Sequence, residues 1–159
     1  MELLVFFGKG ETMKQTIGFV SDMAKILKID MPKVEYDTRH FETDTMLAQA
    51  YIGKHGETII YLKQTDSITL DTYFSIAHEM RHIWQVKYDY ELYMRHYKGR
   101  DKLSLEDYNN QLAEVDANAF ATVVMEDLFD VSPLYKGMSE KTIELIEARA
   151  DYIVDNEIF

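Results

Sequence analysis

Between Glu11 and Leu27, apolar residues fall at Ile17, Val20, Met23, Ala24 and Leu27. Steps of three and four predict an amphipathic helix that stops before Pro32. The pattern then loses its helical period. Val34 to Tyr36 predicts a short strand, and Met46 to Ile52 and Thr58 to Leu62 predict two more. The connection Gly53-Lys54-His55-Gly56-Glu57, with two glycines, suits a hairpin loop.

Helical spacing returns from Asp71 to about Tyr88, with Phe74, Ala77, Met80, Ile83 and Trp84 as the buried face and Asp71 or Thr69 as N-cap. Tyr88 to Arg100 is polar, rich in tyrosine and without a clear period, and Gly99 is expected to break it. Ser104, with Asp107 three residues on, predicts the start of a helix running to about Leu128, with Pro133 beyond its end. Ser139 predicts the cap of a last helix with Ile143, Ile146, Ala150 and Ile153 as its stripe. A helix, a few strands and then three helices imply an α+β fold in which helix dominates.

Composition narrows the possibilities. A chain of 159 residues with 47% hydrophobic side chains, 11 Tyr and 8 Phe can bury a core, and its length fits a single domain, residues 1–159. No repeat or Gly/Ser/Pro-rich linker divides it. The formal charge of −11, from 17 Lys+Arg against 28 Asp+Glu, opposes binding to nucleic acid or an anionic membrane, and no cationic cluster offsets it. No segment has the apolar length of a membrane span, and the apolar run after Met1 lacks a basic leader. With no cysteine, a metal would have to be held by imidazole and carboxylate. A soluble, cytoplasmic protein is the expectation.

Candidate chemistry lies in the second predicted helix, where His78-Glu79-Met80-Arg81-His82 reads His-Glu-x-x-His. Residues i and i+4 share a helix face, so both imidazoles can point at one ion. Glu79 projects beside the pair, placed to act on water rather than on the metal. A catalytic zinc site needs a third protein ligand. His40, His55 and His96 have no partner at ligand spacing and read as surface residues. Glu114 is the better candidate, because Glu114, Ala117, Asn118 and Ala121 put a carboxylate and small residues on one helix face. Asp116 is the alternative, on a different side of that helix. Tyr88, Tyr90, Tyr93 and Tyr97 read as packing residues.

The motif at His78–His82, followed by Glu114-Val115-Asp116-Ala117-Asn118-Ala119-Phe120-Ala121, resembles the ImmA/IrrE family of zinc peptidase-like domains. That family pairs HExxH on one helix with an E-x-x-A-N-x-F-A-like segment on the next. The resemblance runs from roughly Ile59 to Met125. Trp84 and Gln85 follow the second histidine, where the family commonly continues apolar. The resemblance implies a zincin-like domain of gluzincin type, with a small antiparallel or mixed sheet packed on the HExxH helix. It also implies His78, His82 and Glu114 as ligands of Zn2+, Glu79 as the catalytic glutamate and Asn118 as a supporting residue. Relatives that cleave helix-turn-helix repressors imply a protein or peptide substrate, with a transcriptional repressor as the leading kind.

The expected activity is therefore zinc-dependent hydrolysis of a peptide bond, with an extended substrate pairing to one strand of the predicted hairpin. The alternative is a zinc-binding regulatory or interaction module without proteolytic activity.

Overall fold

The computed structural model describes residues 5–6 and 9–157. Its elements are β1 (Val5–Phe6), α1 (Lys9–Leu27), β2 (Lys33–Glu35), β3 (Ala48–Ile52), β4 (Thr58–Leu62), β5 (Ser67–Ile68), α2 (Leu70–Tyr93), α3 (Leu105–Asn109), α4 (Leu112–Phe129) and α5 (Glu140–Asn156). A short 3-10 turn at Arg100–Lys102 precedes α3. The fold is mixed α+β and mainly helical. The sequence reads as one domain; the structure gathers into two compact units, Met1–Ile83 and Trp84–Phe159. Among the described residues, no helix is long and apolar enough to cross a membrane.

In the first unit, α1 buries Thr12, Thr16, Phe19, Val20, Met23, Ala24 and Leu27. This corrects the predicted stripe at one position. Ile17 is 39% exposed, and the threonines one turn apart occupy the buried face instead. The Thr16 hydroxyl bonds back to the Thr12 and Met13 carbonyls and meets the Tyr36 hydroxyl, so its polar atom is satisfied where it is buried. Phe19 packs edge-on to Tyr73, with centroids 4.7 Å apart, which seats α1 against α2. Lys28, at φ 54°, ends α1 in a left-handed turn, and Ile29 N–H reaches the Ala24 carbonyl at 3.0 Å.

Strands β2, β4 and β3 form a sheet in that order, with β2 parallel and β3 antiparallel to β4. The β3–β4 hairpin closes as the glycines require. Gly53 N–H donates to the Glu57 carbonyl at 2.8 Å, and Gly56 takes φ +85°. Among the described residues β3 pairs with β4 on one side only, so it is an edge of this sheet. Of the two candidate caps for α2, Thr69 is the one used: its hydroxyl accepts from Thr72 N–H at 3.4 Å.

In the second unit, α2 kinks at Asp89, where φ −153° and ψ 64° leave the helical region. The Asp89 carboxylate accepts from Leu92 N–H at 3.1 Å and caps the last turn. The helix predicted from Ser104 to Leu128 is two helices. Ser104 does cap α3, accepting from Asp107 N–H, but the chain turns extended at Gln111, with ψ 141°. The Gln111 amide bonds both backbone groups of Lys98, at 2.7 and 2.9 Å, and Asn110 accepts from the Thr142 hydroxyl at 2.8 Å. Asn110 still donates its N–H to the Glu106 carbonyl at 3.0 Å, so the ladder ends at Gln111, whose side chain is engaged by Lys98.

α4 is buried continuously from Ala113 to Met125. It packs on α5, whose Thr142, Ile146, Ala150 and Ile153 are buried. Thr142, rather than the predicted Ile143, takes the first place in the α5 stripe; it is one turn from Ile146 and its hydroxyl is bonded. Ser139 caps α5 as predicted, accepting from Thr142 N–H at 3.2 Å.

Candidate metal centre

His78 and His82 lie one turn apart on α2 and are half-buried. Ile76, Ala77 and Met80, fully buried on the same helix, fix which way it faces. The two imidazole Nε2 atoms face each other at 3.1 Å, with their rings nearly perpendicular at 84°. Ligand atoms of His78, Glu79 and His82 all lie within 4.8 Å of one another. Two nitrogens on one tetrahedral zinc, each at about 2.0–2.1 Å, stand about 3.3 Å apart, close to the separation seen here. The donor set therefore fits a divalent ion that accepts imidazole. Both Nε2 atoms can bind an ion only if the ring protons sit on Nδ1.

Glu79 is directed by a contact absent from the sequence pattern. Its Oε2 accepts the backbone N–H of Ala50, on β3, at 2.8 Å. Beside this group lies a cleft of about 210 Å³, lined by Met46, Leu47, Ala48 and Phe74 as well as His78 and Glu79. An apolar wall with a few polar groups on one side is the usual make-up of a small-ligand or side-chain site.

In the second unit, Glu114 is buried in the first turn of α4. Its Oε1 accepts from the Tyr97 hydroxyl at 2.7 Å and the Tyr108 hydroxyl at 2.9 Å. Burial raises the Tyr97 phenol above its ordinary value, and the Glu114 carboxylate and the bond from Tyr108 raise it further. Sequence reasoning passed over both tyrosines. Tyr97 looked like packing, and Tyr108 carried no signal beyond standing six residues before Glu114.

Asp116, the alternative ligand, is fully buried with both oxygens engaged. Oδ1 takes Arg149 Nε at 2.8 Å and a terminal guanidinium nitrogen at 2.7 Å, and Oδ2 takes the Gln85 amide at 2.8 Å. Gln85 also donates to the Ala113 carbonyl at 2.9 Å, and Arg149 to the Tyr93 hydroxyl at 2.8 Å. These bonds satisfy the side-chain amide of a fully buried glutamine. His40, His55 and His96 are exposed; His40 stacks on Tyr61 with centroids 4.8 Å apart.

No protein-family model matches the chain, no curated protein is similar to it, and no solved structure matches it.

Proposed function

We propose that this protein is a zinc-dependent peptidase of the ImmA/IrrE-like gluzincin type, acting on a protein or peptide substrate in the cytoplasm. The observation that carries the reading is the pair of Nε2 atoms 3.1 Å apart, with the Glu79 carboxylate beside them. The carboxylate beside them is held by a second element, the strand β3.

His78 and His82 would hold the metal. The sequence motif adds Glu114 as a third ligand, and a lower zinc affinity in Glu114→Gln would test that assignment. When bound, zinc lowers the pKa of water from about 15.7 towards 7 and polarises a carbonyl. Glu79 serves as the base. Its carboxylate takes a proton as the water oxygen adds to the scissile carbonyl carbon, then gives it to the amine nitrogen as the C–N bond breaks. The cleft lined by Met46, Leu47 and Phe74 takes an apolar side chain next to that bond. An extended substrate pairs with the edge strand β3. A repressor protein is the proposed kind of substrate, on the strength of the resemblance alone.

The test compares zinc-loaded wild type with Glu79→Gln on fluorescein-labelled casein. The variant should bind zinc equally and cleave about 10²–10⁴-fold more slowly. Identical behaviour of the two proteins would leave the other reading, a zinc-binding module in which the metal only stabilises the fold.

A further inference from the structure

The register of β3 decides which of its backbone groups are available. Lys63 N–H donates to the Leu47 carbonyl at 2.9 Å, and Gly53 N–H to the Glu57 carbonyl at 2.8 Å. Antiparallel pairs alternate, so Gln49↔Tyr61 and Tyr51↔Ile59 also exchange bonds with β4. Ala48, Ala50 and Ile52 then turn their N–H and C=O groups away from β4, to the side where, among the described residues, the sheet has no further strand. Ala50 N–H, pointing out from that edge, meets Glu79 Oε2 at 2.8 Å, within the range of hydrogen bonds to a charged acceptor.

We infer that the Ala50 N–H is a positioning group for Glu79, fixing the carboxylate in the orientation from which it takes a proton. This rests on the reading of Glu79 as the base. A glutamate side chain turns about several bonds, and a base that must be searched for loses rate. Tying Oε2 to a rigid strand fixes the plane of the carboxylate and leaves Oε1 to face the cleft side in one direction. The tie is a backbone group, so almost any residue at position 50 supplies it and no side-chain motif announces it. Proline alone removes it, and an edge strand tolerates proline where the N–H faces away from the ladder.

Two measurements test the inference. In metal-free protein, amide hydrogen exchange at Ala50 should be slow in wild type and in Glu79→Gln, whose amide oxygen still accepts. In Glu79→Ala it should speed up about ten- to a hundredfold. Gln49 and Tyr51, bonded to β4, should be unchanged. In zinc-loaded protein, Ala50→Pro should lower kcat on fluorescein-labelled casein about tenfold or more, with bound zinc unaltered. Equal Ala50 exchange in wild type and Glu79→Ala overturns the inference, as does wild-type kcat in Ala50→Pro. If Ala50→Pro does not fold, the exchange rates decide alone. A protein with the protected amide in which Glu79→Gln cleaves casein like wild type would sink the peptidase reading and leave the contact standing.

Discussion

The Nε2 atoms of His78 and His82 meet at 3.1 Å across one turn of α2, closer than two imidazoles on a helix surface need to come. Such a pair is satisfied by one shared proton or by one shared ion. Zinc at a hundredfold excess over its dissociation constant should stabilise the protein by about 2.7 kcal/mol. The melting temperature should rise by several degrees, and a chelator should reverse the change. His82→Ala should abolish the shift. A shift of the same size in the variant would place the metal elsewhere.

Arg149 and Asp116 form an ion pair in which Asp116 has no exposed surface. Removing one partner leaves an uncompensated buried charge. Arg149→Met should cost about 3–5 kcal/mol in urea unfolding. Because the cost lies in the stranded carboxylate, Arg149→Met combined with Asp116→Leu should be less destabilising than the sum of the two single changes. Strict additivity would show that the pair is not coupled.

Tyr97 gives the protein a pH dependence at the alkaline end. Its phenol is raised in the folded state by burial and by the Glu114 carboxylate, so the folded form holds its proton where the unfolded form has lost it. The stabilisation is therefore complete below the unfolded value of about 10 and declines as pH climbs past it. Ultraviolet titration should show a tyrosine ionisation delayed until unfolding that is absent in Tyr97→Phe. A Tyr97→Phe protein with an undiminished alkaline loss of stability would count against this assignment.

Two glycines should respond with opposite signs. Gly18 lies within α1, and a Cβ there meets nothing within 4 Å, so Gly18→Ala should stabilise by about 0.4–1 kcal/mol. Gly56 is equally uncrowded but sits at φ +85°, so Gly56→Ala should destabilise by about 1–2 kcal/mol through backbone strain. Urea midpoints for the two variants settle both signs.

What the sequence determined by itself is what depends on short stretches of chain. His78 and His82 share a face because four residues make about one helical turn. Gly56 stands in the hairpin loop because a tight turn needs a left-handed residue there. Ser104 and Ser139 cap their helices because a hydroxyl reaches an N–H three residues on. Tertiary structure decided the rest. The break falls at Gln111, whose amide is taken by Lys98. The threonine face of α1 is buried where the Tyr36 hydroxyl, 20 positions on, meets Thr16. α4 is buried all round from Ala113 to Met125, so no period in its sequence could say which side would hold Asp116 against Arg149. The hold of Ala50 on Glu79 joins a backbone group to a side chain 29 positions later, where neither residue type signals the other. Spacing records neighbours along the chain; these contacts join residues that only folding makes neighbours.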